Sequence, residues 1–257
     1  MGEEQGRRTS PLGARIEIRS CHTLEEFNRC IELERLVWEC EDIDLTPLPV
    51  YIVAEHTGGQ VFGAYDGAEM IGFILATPGY RDGRVFMHSH MAAVLPAYQN
   101  QGVGRRLKLY QRTDALVRGI ELVEWTLDPL EARNAYFNLE QLGVVVRRYS
   151  SNLYGRTTSP LHGPLPTDRL WAEWWLRTPR VEAIVAGQPW PKKPDAKRIR
   201  IPGNIGELRR KDFAKAQCVL SEVREQFTYW LGQGYVAVGF ERDASGGGSY
   251  LLQAYEG

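Results

Sequence analysis

The segment 88–104 constrains this chain more than any other, because an apolar, strand-like run leads through a glycine turn into a helical pattern. The turn has the spacing Gln99-x-x-Gly102-x-Gly104, and Arg105 follows it. Glycines let the backbone approach a ligand closely, and the N–H groups at the start of a helix converge where the helix dipole favours negative charge. The segment therefore predicts an anion-binding site, the alternative being an ordinary strand–helix connection. Its spacing differs from the dinucleotide fingerprint G-x-G-x-x-G, and it lacks the Gly-Lys-Ser/Thr end of a P-loop.

Two histidines precede this turn in the same apolar run. His88 and His90 stand two residues apart, so they share one face of the expected strand. An imidazole with an ordinary pKa of about 6.5 suits removal of a proton from an ammonium group. The segment therefore pairs an anion clamp with a candidate base. The alternative is that both rings are structural and hydrogen-bonded inside the sheet.

The composition excludes several classes of protein. The chain has 257 residues, of which 43% are hydrophobic and 25% charged, as in an ordinary soluble globular protein. This length predicts one large domain, or one domain with a substantial extension. A net charge of −1 provides no electrostatic footprint for nucleic acid or an anionic membrane. No apolar run has the length of a transmembrane helix, and no secretory segment is evident, so we expect a cytoplasmic protein. The four cysteines lack metal-site spacing and are expected to be free thiols.

Periodicity and turn residues predict an α/β fold with the order β-α-α-β-β-β-α-β-α-β-β. The predicted strands are 15–19, 60–65, 69–76, 84–95, 121–127, 144–149 and 170–176, and the predicted helices are 24–39, 49–56, 102–118 and 131–142. A flexible tail is expected at 1–13, a core at 14–178 and an α+β extension at 179–257, packed on the core or at a dimer interface. In the extension we expect strands at 198–201, 235–241 and 250–255, and one or two helices over 205–231.

The glycine turn and its flanks resemble motif A of the GNAT superfamily of acyl-CoA-dependent N-acyltransferases. Val94-Leu95-Pro96 before the turn and a basic helix after it are typical of that family, and the resemblance covers roughly residues 14–178. It implies a mixed central sheet splayed at a site for acetyl-CoA or another acyl-CoA, with no metal. The implied cofactor contacts are Ala93, Val94, Gln99, Asn100, Gln101, Gly102, Val103, Gly104, Arg105, Asn134 and Asn138.

Two further cations follow in the same helix. Arg106 and Lys108 either pair with phosphate or belong to a solvated helix face.

The histidines also resemble the His-x-His of the arylalkylamine N-acetyltransferases, at the same distance before the glycine turn. This similarity implies that His90, or else His88, accepts the proton of the attacking amine. His90 is preferred because it lies nearer the splay.

The general acid fits the family pattern less well. The usual tyrosine lies four residues before the glycine that ends the later helix, and here Leu139 occupies that position before Gly143. We expect Tyr136, one turn earlier, to act as the acid, with Tyr149 and Tyr154 as alternatives. Coenzyme A thiolate is a tolerable leaving group, so a dedicated acid is not required.

The acceptor site is less constrained by the sequence. Trp171, Trp174 and Trp175 crowd one segment and either line an acceptor pocket or pack in the core. Asp128 and Glu124 are considered as partners for the acceptor ammonium.

The expected function is transfer of an acyl group, acetyl or succinyl, from coenzyme A to the amine of a small molecule by direct attack. The blocks 89–91, 125–130, 134–139 and 168–175 resemble a bacterial branch of the family in which some members are amino-acid N-succinyltransferases. An amino acid is therefore included among the acceptors, and a homodimer is left open. The alternatives are a non-catalytic acyl-CoA-binding sensor and a protein N-acetyltransferase.

Overall fold

The computed structural model describes residues 16–155, 157–158 and 165–254. The strands are β1 (Ile16–Ser20), β2 (Gln60–Asp66), β3 (Glu69–Arg81), β4 (Arg84–Val94), β5 (Leu122–Leu127), β6 (Val145–Ser150), β7 (Arg169–Trp175), β8 (Lys197–Ile201), β9 (Tyr235–Arg242) and β10 (Gly248–Ala254). The α-helices are α1 (Leu24–Trp38), α2 (Leu48–His56), α3 (Val103–Val117), α4 (Ala132–Tyr136), α5 (Pro179–Val185), α6 (Ile205–Lys211) and α7 (Phe213–Gly232).

All ten strands belong to one mixed sheet with the order β1-β2-β3-β4-β5-β7-β6-β9-β10-β8. The pairs are antiparallel except for β4 and β5, which are parallel and joined by α3. The predicted order of elements up to β7 is confirmed, including the β-α-β unit that follows the glycine turn. The expected tail at 1–13, Arg15 and Tyr255 lie outside the described residues.

Three elements differ from those predicted. The strand predicted over 69–76 continues to Arg81, because β3 and β4 stay paired up to the turn at Asp82-Gly83. The helix predicted over 131–142 divides into α4 and a π-helical segment, Phe137–Leu142. The predicted 205–231 stretch forms two helices, because Asp212 leaves helical geometry and caps α7.

The sheet has unlike faces. On one face, α3 to α7 cover a continuous core that runs from Ile16 in β1 to Leu252 in β10. On the other face, α1 and α2 pack over β2, β3 and β4 around a second core containing Tyr51 and Phe73. The neighbouring part of that second face carries Arg81 at the end of β3, Glu124 of β5, Arg148 of β6 and Trp171 of β7, and is called here the polar face.

The extension lengthens the same sheet. β9 joins β6 through the pairing of Val146 with Ala237, and β10 and β8 follow. Arg180 of α5, a helix that was not predicted, is half-buried and donates to the carbonyls of Leu139, Gly143 and Val238. Burial lowers its pKa to about 10. One guanidinium thus satisfies carbonyls at the end of the π-helical segment and in β9.

None of the helices in the described part of the chain has the length and apolar character needed to span a bilayer.

Candidate functional site

The parallel strands β4 and β5 remain in register for only two residue pairs, Met87 with Val123 and His88 with Glu124. Beyond His88, the described strands have no further pairs with each other. The sheet therefore opens between β4 and β5 at the end of β4 that leads into the glycine turn. We call this opening the splay.

A β-bulge in β4 accounts for the start of the splay. Thr77 of β3 faces His88, whereas Leu75, two residues earlier, faces Met91, three residues beyond His88. The extra residue lies within 89–90. Because a bulge bends its strand, β4 turns away from β5 at this point.

The glycine turn forms an open cradle at the N-terminus of α3. Gly102 has a φ of 81°, a left-handed conformation that favours glycine, and no side chain caps the first turn of α3. A Cβ on Gly102 would meet no atom within 4 Å, and one on Gly104 would meet only Val94 Cγ2, at 4.0 Å. The first N–H groups of a helix have no intrahelical acceptor. The free space, the unpaired amides and the helix dipole together fit a pyrophosphate group.

The loop before the cradle is held by its own side chains. Gln99 Nε2 donates to Val94 O at 2.9 Å, and Gln101 Nε2 donates to Ala97 O at 2.7 Å. The backbone amide of Leu95, just before the loop, already donates to Ile71 O at 2.9 Å. The candidate anion-binding amides are therefore those of the later part of the loop and the start of α3. Asn100 there is exposed and has a φ of 61°.

The cations of α3 differ from the expectation. Arg105 Nη2 donates to Val185 O at 2.7 Å, and Arg106 donates to Ile16 O. Lys108 is buried, with its Nζ 2.8 Å from Ser89 Oγ, 3.1 Å from Gln111 Oε1 and 3.8 Å from the ring centroid of Trp125. The interpretation of Lys108 as a phosphate ligand is therefore wrong, since its amine is enclosed between α3 and the sheet.

Asn134 and Asn138, the two asparagines of the later helix, differ in their exposure to solvent. Asn138 is 5% exposed, and its amide accepts from Trp125 Nε1 at 3.1 Å and donates to Asn134 O at 2.8 Å. The backbone carbonyl of Asn138 also accepts from the amide of Val144, after the π-helical segment. The Asn138 side chain is thus committed inside the protein, which leaves Asn134 as the exposed member of the pair.

The candidate bases lie where the splay begins. The rings of His88 and His90 have centroids 6.3 Å apart, and the His88 ring lies 6.0 Å from that of Trp171. The His90 side chain is exposed, yet partial desolvation by the neighbouring protein, followed by the charge of His88, lowers its pKa. A lowered pKa keeps His90 in the neutral form that accepts a proton.

Glu124 lies behind His88 and is 2% exposed. Its Oε1 is 3.9 Å from His88 Nδ1, and its Oε2 accepts from Arg81 and Arg148, each at 2.9 Å. Burial alone would raise the pKa of Glu124, but His88 and the two guanidinium groups together lower it to about 2. Since the guanidinium groups of Arg81 and Arg148 already offset its charge, the interpretation of Glu124 as the acceptor's ammonium partner is wrong.

Asp128 is also occupied. Its Oδ1 accepts from Leu130 N at 2.8 Å, and its Oδ2 accepts from Arg209 Nη2 at 2.8 Å. Arg209 belongs to α6, so Asp128 ties the end of β5 to the extension and is not an open ammonium site.

The three tyrosines considered as general acids occupy different places. The ring of Tyr136 is covered by the Arg242 guanidinium at 3.9 Å. Tyr149 donates to the buried carboxylate of Asp168, and burial raises its pKa. Tyr154 is exposed, and its hydroxyl is 2.9 Å from Thr126 Oγ1 on the splayed end of β5. Of the three hydroxyl groups, that of Tyr154 therefore has a direct contact with a strand of the splay.

The tryptophans also divide between the two faces of the sheet. Trp174 is fully buried and packs edge-on against Trp125, so the core alternative is confirmed for it. Trp171 and Trp175 lie on the polar face, with Trp171 opposite Thr126 in the sheet. Only these two fit the expected lining of an acceptor pocket.

Two loops meet beside the polar face. Asp44, after α1, accepts hydrogen bonds from the Thr157 hydroxyl at 2.9 Å and from the Thr158 hydroxyl at 2.7 Å. Glu34 anchors the same α1–α2 loop by accepting from the amide of Thr46 at 3.1 Å, and burial raises the pKa of Glu34. These contacts hold the α1–α2 loop against the β6–β7 loop.

Sequence reasoning missed Arg81, Arg148 and Arg133. Arg133 Nη1 donates to Gln99 Oε1 at 3.2 Å and so connects the start of α4 to the glycine loop. No local pattern marks these arginines, because each partner lies more than twenty residues away in the chain. The charge of Glu124 inside an apolar strand, 122–127, is the one signal that predicts a cation nearby.

Comparison with known proteins agrees with this geometry. Residues 57–140, which contain β4, the glycine turn, α3 and β5, match the family model of the acetyltransferase (GNAT) domain. No curated protein sequence matches the chain.

Solved structures with the same fold include the following two. The ribosomal-protein-S18-alanine N-acetyltransferase from Escherichia coli is 17% identical, with a TM-score of 0.51 over 63% of this chain and 95% of that one. The protein yncA from Salmonella typhimurium, solved with its cofactor acetyl-CoA, is 17% identical, with a TM-score of 0.50 over 66% of this chain and 99% of that one. At this identity the likeness concerns the fold.

Proposed function

We propose that this chain, a member of the GNAT superfamily of acyl-CoA-dependent N-acyltransferases, transfers an acetyl group from coenzyme A to the amine of a small molecule. The observation that carries the proposal is the splay. It has the glycine cradle at one end and His88 and His90 where it opens.

The cofactor-binding part of the proposal depends on the backbone. The amides from Asn100 to Arg105 and the dipole of α3 hold the pyrophosphate, while Gln99 and Arg133 brace the loop around it. Asn134 is exposed at the start of α4 and contacts the pantetheine arm. When bound, acetyl-CoA supplies an activated thioester carbonyl.

In the proposed reaction, His90 accepts the proton that the acceptor ammonium must lose before its nitrogen can attack. The lowered pKa of His90 favours this role, and His88 lies close enough to share it. The amine nitrogen forms a bond to the carbonyl carbon, the carbon–sulfur bond breaks, and the thiolate leaves. The acid that protonates the thiolate is Tyr136 in our sequence-based expectation, whereas the contact of Tyr154 with Thr126 supports Tyr154.

Acetyl is proposed as the acyl group, with succinyl as the alternative. Titration calorimetry of the purified chain with acetyl-CoA and succinyl-CoA tests this choice and the cradle together. Saturable binding of acetyl-CoA with higher affinity supports the proposal, and preference for succinyl-CoA changes the acyl group. If neither acetyl-CoA nor succinyl-CoA binds, the interpretation of the glycine turn as a pyrophosphate site is wrong.

Release of free coenzyme A in the presence of an amine panel tests catalysis. We expect His90→Ala to reduce turnover by about a hundredfold or more, because general base catalysis contributes at least that factor, while acetyl-CoA affinity is unchanged. His56→Ala is the matched control, since His56 is exposed at the end of α2. Binding without turnover for any amine would instead support the acyl-CoA sensor, and turnover with peptides alone would support a protein N-acetyltransferase.

A further inference from the structure

We infer that the acceptor carries a carboxylate next to its amine, and that Arg81 and Arg148 on the polar face recognise this carboxylate. The inference rests on the proposed function and names the substrate class of the same site. It follows from the way in which these two guanidinium groups are held.

Both arginines are fixed by the same carboxylate. Arg81 Nη2 and Arg148 Nη2 each lie 2.9 Å from Oε2 of Glu124, so the two nitrogens lie close to each other. Like charges at such a distance repel, and the buried carboxylate between them offsets this repulsion. Glu124 therefore holds together two cations that would otherwise separate.

Each guanidinium also lies over an aromatic ring. The Cζ of Arg81 is 4.7 Å from the ring centroid of Phe86, and that of Arg148 is 4.4 Å from the ring centroid of Trp171. Stacking on a ring restricts the plane of a guanidinium and leaves the N–H donors at its edge. Two oriented guanidinium groups match the two oxygens of a carboxylate and lose little side-chain entropy on binding.

The exposed charge of the polar face is positive. The side chains of Arg81 and Arg148 are 38% and 42% exposed, whereas that of Glu124 is 3% exposed. Arg147 and Glu173 neutralise each other nearby, with the Glu173 side chain 10% exposed. A ligand entering this face therefore meets arginines, while both carboxylates lie beneath them.

The arginine pair is adjacent to His88, whose ring centroid lies 6.3 Å from that of the proposed base, His90. Oε1 of Glu124 is 3.4 Å from Arg81 Nη1 and 3.9 Å from His88 Nδ1. In an α-amino acid the amine nitrogen and the carboxylate carbon are about 2.5 Å apart. A carboxylate on the arginine pair can therefore have its amine on the histidine side of the polar face, where the splay opens.

Acceptor specificity tests the inference. Coenzyme A release is measured for a panel of L-amino acids and their matched primary amides, at a saturating concentration of acetyl-CoA. The expected kcat/KM is at least about tenfold higher for the carboxylates, because the amides lack the charge-assisted hydrogen bonds. Equal rates for acids and amides overturn the inference while leaving N-acyl transfer intact.

Three variants assign the preference to residues. Arg81→Gln and Arg148→Gln should raise KM for the amino acids by about tenfold or more and bring the acid-to-amide ratio toward one, with KM for acetyl-CoA unchanged. Arg84→Gln is the control, because Arg84 is exposed and faces Arg81 across the β3–β4 turn. If the arginine variants slow acids and amides equally, the pair is structural and the inference is wrong.

A binding arm separates this inference from the proposed function. If no acceptor is turned over, the proposed function fails, and calorimetry with N-acetyl amino acids and their amides still tests the arginine pair. Binding of the acids that is weakened by Arg148→Gln and not by Arg84→Gln supports carboxylate recognition. Equal binding of acids and amides, or binding of neither, overturns it.

Discussion

Lys108 places its Nζ 3.8 Å from the ring centroid of Trp125, fully enclosed between α3 and the sheet. Ser89, in the bulge of β4, is 2.8 Å from the same nitrogen. Trp125 in turn donates to Asn138 of the π-helical segment. One buried lysine of α3, the helix that follows the glycine turn, thus contacts both β4 and β5, the strands that separate at the splay.

The burial of Lys108 predicts a pH-dependent stability. Desolvation lowers its pKa from 10.5 to about 7, so between these values the unfolded chain binds a proton that the folded chain does not. The free energy of unfolding therefore rises with pH over this range. We expect Lys108→Met to remove much of that rise, as measured by urea denaturation at pH 7, 8 and 9. If the free energy of unfolding of Lys108→Met rises with pH as steeply as that of the unmodified chain, the buried amine is not neutral.

The glycine cradle is tested by Gly104→Ala. A Cβ at Gly104 meets only Val94 Cγ2 at 4.0 Å, so the fold accommodates it, and alanine favours a helix by up to about 1 kcal/mol. The methyl group would occupy the space assigned to pyrophosphate, and we expect acetyl-CoA affinity to fall by at least about tenfold. Calorimetry and thermal melting measure the two effects.

Gly206→Ala is the matched control for this substitution. Gly206 is the second residue of α6, as Gly104 is of α3, and a Cβ there lies 3.8 Å from Arg210 Nη1. It should leave acetyl-CoA affinity unchanged. If both variants bind acetyl-CoA with the affinity of the unmodified chain, the pyrophosphate of coenzyme A does not lie against Gly104.

The pH dependence of kcat tests His90 as the base. Its pKa is lowered from 6.5 by desolvation first and by His88 second, so the neutral form persists below that pH. We expect kcat to decline only as the pH falls below about 6.5. His88→Gln removes one lowering influence, and the decline should then begin at a higher pH. A profile unaffected by His88→Gln would argue against His90.

Glu124 should contribute stability that acid removes. Its pKa is lowered from 4.5 to about 2, so its stabilising effect is complete above pH 4.5 and disappears as the pH falls toward 2. Glu124→Gln leaves two arginines without their shared carboxylate and should destabilise the fold by about 3 kcal/mol at neutral pH. The difference in urea midpoint from the unmodified chain should narrow between pH 4.5 and pH 3. A constant difference over that range would show that packing dominates.

Much of the fold was predictable because its signals are local. The strand–turn–helix at 84–118 depends on hydrophobic periodicity and on glycines at fixed spacing, which neighbouring residues alone specify. The division of 131–142 into α4 and a π-helical segment was not predictable. It is associated with the Asn138 side chain accepting from Trp125 in another element, and with Arg180 donating to the carbonyls of Leu139 and Gly143.

The glycine spacing before α3, the placement of His88 and His90 on one strand and the order of the surrounding elements are all evident from local sequence patterns. Which charged groups meet depends on the fold of the whole sheet. Arg81 and Arg148 reach Glu124 across 43 and 24 residues, and Lys108 turns inward although its neighbours Arg105 and Arg106 remain partly exposed. Periodicity depends on residues a few positions apart. An ion pair between strands depends on the order of the whole sheet, which no local pattern contains.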